Sequence, residues 1–251
     1  MNTLAISTDA AVRVVEMNRP DSLNALNPQM MDALAETFLS TASDDEIKVL
    51  ILTGAGRAFS AGADLAATDD YKPKYGLAGM IDAMIDFPKP FIAAVNGLGV
   101  GYGATVCGLA DFVIMSEKGR LRAPFSALGL TAELSSTYTF PRLMGRQRAS
   151  WFLLAAEWLS ANECLDAGLA MEVVPADQLM TRTLEQANKL AKLPLASLVM
   201  TKRLIIDPLR EQMKASVIAE NDGLAALRGG QANKEAVTAF LEKRAPDFTG
   251  I

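Results

Sequence analysis

The largely apolar run from Val12 to Met17 reads as a strand. Asn27 followed by Pro28 predicts an N-cap and a first helical position. The helix they open runs through about Ala42, with Met30, Leu34 and Phe38 as its apolar stripe. Ile47 to Thr53 reads as a buried strand ending in Gly54-Ala55-Gly56. Phe91 to Val95 predicts another strand, which enters a glycine-rich turn and a short helix before a further strand at Phe112 to Met115. A unit of strand, glycine turn, helix and strand thus recurs, and it predicts a mixed α/β fold.

Ser160 and Glu163 have the spacing of a capping box. Their helix is expected to stop at Gly168, before the apolar run Leu169 to Val174. No strand is expected beyond Pro175. Pro194, Pro208 and Gly229-Gly230 are read as punctuating a series of helical segments, the last near Ala232 to Lys243. A soft boundary near residue 192 separates a body, residues 1–191, from a helical C-terminal region, residues 192–251. These end helices are too few to make a core of their own, so they are expected to pack on the body or on another subunit.

Composition narrows the chemistry. The 251-residue chain contains no histidine, which excludes Ser-His-Asp and Cys-His catalysis, histidine-ligated zinc and imidazole acid–base steps. No metal site is expected, and the acidic pair Asp69-Asp70 reads as solvated surface. A net charge of −5 argues against nucleic acid as a partner. The most apolar stretch, Phe91 to Met115, holds Asn96, Thr105, Asp111 and five glycines, which fits a buried strand, turn and helix and not a membrane span. Cys107 and Cys164 form no CxxC pair and read as buried thiols. With no secretory pattern in Met1 to Ala10 and no terminal Ser-Lys-Leu, a cytoplasmic location is expected.

Two glycine-containing turns stand out, Phe59 to Leu65 and Asn96 to Gly103. Small residues at a strand-to-helix junction let a ligand approach the backbone, and the first N–H groups of the helix point outward unpaired. Two such junctions facing one another can hold a carbonyl oxygen as it becomes an oxyanion. Close packing accounts equally well for both glycine sets. Gly99, Gly101 and Ala104 also fit a loose dinucleotide-binding pattern, with Glu117 near the place of a ribose-binding acid, although the helix available is short.

Several separated motifs together resemble the crotonase superfamily, the enoyl-CoA hydratase/isomerase family, over nearly the whole chain. They are Asn18-Arg19-Pro20 with Leu23-Asn24-Ala25-Leu26, the run Leu52 to Leu65, Lys89-Pro90 through Asn96-Gly97, and Leu159-Ser160-Ala161 to Gly168-Leu169. The resemblance implies a crotonase-like spiral of repeated ββα units with a helical C-terminal region that trimerises, giving a homotrimer or a dimer of trimers. It implies an acyl-CoA thioester as substrate, with CoA carried by that substrate and no separate cofactor. By motif, the backbone N–H groups of Ala63 and Tyr102 form the oxyanion hole, while Ala61, Gly62, Ala63, Asp64 and Leu65 line the adenine and pantetheine site with Ala25 nearby. Lys243 and Arg244 read either as CoA-phosphate contacts or as a surface charge cluster. Asp64 is expected to cap the helix after its turn, and Asp111 to begin a strand.

Hydratases of this family use two glutamates, and Thr105 and Phe125 stand at the matching positions here. The segment Pro124 to Glu133, continuing Ser135-Ser136-Thr137-Tyr138-Thr139-Phe140-Pro141, resembles the peroxisomal type of Δ3,Δ2-enoyl-CoA isomerase. Glu133 inherits the role of catalytic base from that resemblance. Apolar Phe125, Leu128, Leu130 and Leu134 are expected to raise its pKa toward neutrality. The alternative for Glu133 is a carboxylate stabilising a helix N-terminus, with Thr131 and Ser135 as possible caps. A hydratase with a rearranged water site and a non-catalytic acyl-CoA-binding protein remain the alternatives in function.

Overall fold

A computed structural model describes residues 3–64 and 71–251. The chain runs β1 (Leu4–Asp9), β2 (Val12–Met17), α1 (Pro28–Ala42), β3 (Val49–Gly54), β4 (Ala58–Ser60), α2 (Gly76–Ile85), β5 (Phe91–Val95), β6 (Leu98–Val100), α3 (Tyr102–Thr105), β7 (Phe112–Ser116), β8 (Arg120–Arg122), α4 (Ser136–Met144) and α5 (Arg146–Ala155). It continues with β9 (Trp158–Ser160), α6 (Ala161–Asp166), β10 (Glu172–Val174), α7 (Leu179–Ala191), α8 (Leu195–Leu227) and α9 (Gln231–Leu241).

The strands fall into a six-stranded sheet, ordered β1-β2-β3-β5-β7-β10, and a four-stranded sheet, ordered β4-β6-β8-β9. Among the described residues, only the edge pairs β1–β2 and β8–β9 are antiparallel. Each of β3-β4-α2, β5-β6-α3 and β7-β8-α4 places one strand in each sheet and then a helix, which is the repeated ββα unit of the spiral. The larger sheet is covered on both faces, so its central strands are mostly apolar on both sides. Leu50, Leu52, Phe91, Ala93 and Val95 face the main core, where Phe87 and Phe91 both meet Phe38 edge-on at about 5 Å. The intervening Val49, Ile51, Ile92 and Ala94 lie in a second core with Leu179 and Ala187 of α7.

The helix start at Asn27 is as the sequence predicts: its side chain accepts the Met30 N–H at 2.9 Å, and Met30, Leu34 and Phe38 are fully buried. Asn27→Ala is expected to lower stability by about 1 kcal/mol in a denaturant titration, the usual worth of such a cap. The Ser160–Glu163 capping box is also formed. One expectation fails: Pro208 lies inside the 33-residue α8 instead of ending a segment. A proline removes the donor to the carbonyl four residues before it, here that of Leu204, whose residue is 71% exposed in this chain. The dinucleotide reading fails too. Gly99 belongs to strand β6, the helix after Gly101 has only four residues, and Glu117 is exposed.

The start of α8 is tied to the body by Lys202. This buried ammonium donates to Asp111 Oδ2 at 2.6 Å and to the Lys89 carbonyl at 2.9 Å. Asp111, just before β7, also accepts the Phe91 N–H at 2.8 Å. Asp32 of α1 plays a similar part for α2, accepting the N–H groups of Lys74, Tyr75 and Gly76 at 2.6 to 2.8 Å.

Candidate active site

The Leu23 to Leu26 segment fixes the first glycine turn. Asn24 is fully buried with φ of +56°, a conformation asparagine tolerates better than most residues. Its side-chain amide donates to the carbonyls of Ala55 and Ala58, and its side-chain oxygen accepts the Arg19 N–H. Ala61 N–H then bonds the Leu23 carbonyl, Leu26 N–H bonds the Gly62 carbonyl, and Asp64 N–H bonds the Leu26 carbonyl. In this parallel bridge Leu26 uses the residues on either side of Ala63. The Ala63 N–H therefore points the other way and has no acceptor among the described residues.

The second turn presents Tyr102 as the first residue of α3, so its N–H lacks an intrahelical acceptor. Gly101 before it has φ of +53° and ψ of −116°, a conformation that only glycine adopts readily. The turns touch: a Cβ on Gly62, whose φ is +87°, would lie 2.8 Å from the Val100 carbonyl oxygen. A Cβ on Gly101 would lie 3.8 Å from the Gly62 Cα and 4.0 Å from Glu133 Oε1. Both loops and the Glu133 carboxylate thus converge on one point.

Glu133 is partly buried, and among the described residues its carboxylate accepts no hydrogen bond. Its pKa is pushed up to about 7, chiefly by burial and next by the Glu220 carboxylate, against a smaller lowering by Arg228. Of the four apolar residues expected to surround it, Phe125 and Leu134 are buried and Leu128 and Leu130 are half-buried. Neither Thr131 nor Ser135 caps α4 with its side chain. Glu220, reaching from α8, takes that role by accepting the N–H groups of Ser135 and Thr137. The helix-stabilising alternative for Glu133 is therefore replaced by another carboxylate.

Thr105 is fully buried, and its hydroxyl is directed to the carbonyls of Gly101 and Tyr102, while Phe125 is packed in the core. The Tyr102 ring is fully buried, and its hydroxyl has no hydrogen-bond partner among the described residues. Burial raises its pKa, as it does for the free thiols Cys107 and Cys164, the latter pushed up to about 12. Ala25 is buried beside the first turn. Asp64 pairs with Arg19 at 2.8 Å, whereas Leu65, the helix Asp64 was expected to cap, and the Asp69-Asp70 pair lie outside the described residues. Arg244 forms a fork with Glu235 and also meets Glu242, which fits the surface-cluster reading of this tail. Among the described residues no cluster of cysteine and carboxylate side chains has the arrangement of a metal site.

A large apolar cavity of about 630 Å³ lies elsewhere, between α4 and α8, lined by Leu109, Tyr138, Leu198 and Met213 among others. It includes none of Ala63, Tyr102 or Glu133.

A sequence profile described as enoyl-CoA hydratase/isomerase matches residues 7–250. The chain belongs to the enoyl-CoA hydratase/isomerase family. It is 33% identical to 1,2-epoxyphenylacetyl-CoA isomerase of Escherichia coli (strain K12), over 100% of this chain and 99% of that one. It is 32% identical to enoyl-CoA delta isomerase 2 of Rattus norvegicus, over 95% of this chain but 62% of that longer one. The fold matches the crystal structure of an enoyl-CoA hydratase/isomerase from Pseudoalteromonas atlantica T6c with a TM-score of 0.94 at 34% identity, covering 98% of this chain and 99% of that one. Membership in this enzyme family accounts for the mixed α/β spiral.

Glu220 was not singled out by sequence reasoning. Its signal is a carboxylate on the apolar stripe of α8, spaced with buried Met213 and Leu224 at helical intervals.

Proposed function

We propose that this member of the enoyl-CoA hydratase/isomerase family isomerises 3-enoyl-CoA to 2-enoyl-CoA, with Glu133 shuttling the proton. The observation that carries the reading is one carboxylate of pKa about 7, unbonded among the described residues, with Oε1 at the meeting point of the two glycine turns. Glu133 takes a proton from C2, and the electron pair delocalises through the former C3–C4 double bond and the thioester carbonyl. The dienolate oxygen accepts hydrogen bonds from the Ala63 and Tyr102 N–H groups. Glu133 then returns its proton to C4 as the C2–C3 double bond forms, so one group serves as base and acid. Ala25 and Ala61 to Asp64 hold the adenine and pantetheine of the substrate.

A two-glutamate hydration fits less well, because Thr105 and Phe125 supply no carboxylate and the Thr105 hydroxyl is already bonded to backbone. The exposed apolar side chains Trp151, Leu154, Leu204 and Phe240, each above 60% accessible, support self-association of the expected trimer or dimer of trimers.

Supplying 3-enoyl-CoA and 2-enoyl-CoA separately tests the reaction. The expected product of the first is 2-enoyl-CoA, with kcat/KM rising as pH increases through about 7, because only ionised Glu133 accepts a proton. Conversion of the second alone, to a 3-hydroxyacyl thioester, identifies a hydratase. Binding of both without turnover identifies an acyl-CoA-binding protein that has lost catalysis.

A further inference from the structure

The segment after Glu133 is bent in a costly way. Leu134 and Ser135 have φ of +60° and +59°, two successive non-glycine residues in the left-handed region. Such a bend persists only when its surroundings fix it. The surroundings here converge on one buried carboxylate from α8. Glu220 is 4% exposed, and its Oε2 accepts the Ser135 N–H at 2.7 Å. Its Oε1 accepts the Thr137 N–H at 2.9 Å and the Thr137 hydroxyl at 2.6 Å. On the other side of the bend, Ser136 returns its N–H and hydroxyl to the Glu133 carbonyl at 3.1 and 2.6 Å. The Ser135 and Ser216 hydroxyls add a bond of 2.8 Å to α8.

We propose that Glu220 is a positioning residue for Glu133, holding the left-handed bend that aims the candidate base at the two glycine turns. The proposal rests on the proton-shuttle reading above. A buried carboxylate is costly, and among the described residues Glu220 has no ion-pair partner. All the donors that satisfy it come from the residues directly following Glu133. Glu220 also acts on the base through charge. The groups that bear on Glu133 are Glu220 on α8, which disfavours its ionised form, and Arg228 just past the end of α8, which favours it. The buried phenol of Tyr102 on α3 is neutral, and Glu133 in turn helps to hold its pKa up.

Glu220→Gln keeps the size of the side chain, removes the charge and points an amide donor at donors. Two measurements on the full-length protein test it: steady-state kinetics on 3-enoyl-CoA, and a 13C-carboxyl NMR titration of Glu133. The expected result is a kcat lowered about 10- to 100-fold, as for a misaimed catalytic group. KM is expected to stay within about threefold, since backbone contacts to the thioester are untouched. The Glu133 titration midpoint is expected to fall below its wild-type value. Wild-type kcat with an unmoved midpoint overturns the proposal, and so does a KM rise that accounts for the whole loss. If the wild type itself does not isomerise 3-enoyl-CoA, the functional reading fails, while the titration still decides whether Glu220 governs Glu133. Should Glu220→Gln not fold, Thr137→Val removes one donor and keeps the charge. It is expected to lower kcat several-fold at constant KM, and unchanged kcat in that variant overturns the proposal.

Discussion

Under the proposed proton shuttle, Glu133→Gln is expected to lower isomerisation by about 10²- to 10⁴-fold, the range that a positioned general acid–base contributes. Glutamine matches the shape of glutamate but cannot accept the C2 proton, whereas thioester affinity stays near wild type because it is assigned to backbone donors and remote contacts. Steady-state kinetics with 3-enoyl-CoA, together with direct binding of a saturated acyl-CoA, separates the two effects. Turnover near wild type removes Glu133 from its role. The same variant also reports on the buried charge. The Glu133 pKa is raised in the folded protein from 4.5 to about 7, so the folded state favours the protonated form. Stability from that group is fully present below its unfolded pKa and is lost as pH rises through about 7. Glutamine does not titrate. The difference in Tm between variant and wild type is therefore expected to move in favour of the variant as the pH is raised from about 5 to about 9. A difference that does not change with pH contradicts the burial of the Glu133 charge.

Gly62→Ala is expected to cost about 10²- to 10³-fold in kcat, the usual effect of losing one oxyanion donor. Its φ of +87° is unfavourable for alanine, and the added Cβ would come within 2.8 Å of the Val100 carbonyl oxygen. The Cβ has no rotatable bond by which to avoid that backbone oxygen, so relief requires one glycine turn to move away from the other. The Ala63 N–H next to it then leaves its position opposite Tyr102. Gly145→Ala provides the control. Gly145 has φ of +75° and no atom within 4 Å of an added Cβ, so alanine there brings backbone strain without a clash. It is expected to lose about 1–3 kcal/mol of stability with little change in kcat. Equal losses of kcat in the two variants would mean that general destabilisation, and not the meeting of the turns, explains the effect.

The parts of this protein that were legible in its sequence are those whose physics is local. Asn27 and Pro28 start α1, and Ser160 with Glu163 starts α6, because a cap is made within one turn of chain. The strands Val12–Met17 and Phe91–Val95 are legible because their runs are long enough to show a pattern. The glycine turns were visible because backbone that must adopt positive φ or tolerate close approach leaves glycine in the sequence. The four strands of the smaller sheet are three residues each, too short for any period to emerge. Pro208 misled because a proline's helix-breaking tendency is overridden when the rest of a long helix is held by packing, which a local signal does not state.

The sequence by itself determined the sites of local order and, through the order of its motifs, a resemblance to the family to which the chain belongs. It also placed a glutamate among apolar neighbours at position 133. Only the tertiary structure decided that this carboxylate reaches the point where the two turns meet, and that Glu220, 85 residues beyond Ser135, holds the bend behind it. The physical reason is that side-chain periodicity records which face of an element is buried. It does not record which distant element supplies the hydrogen bonds and charges that the buried face encounters.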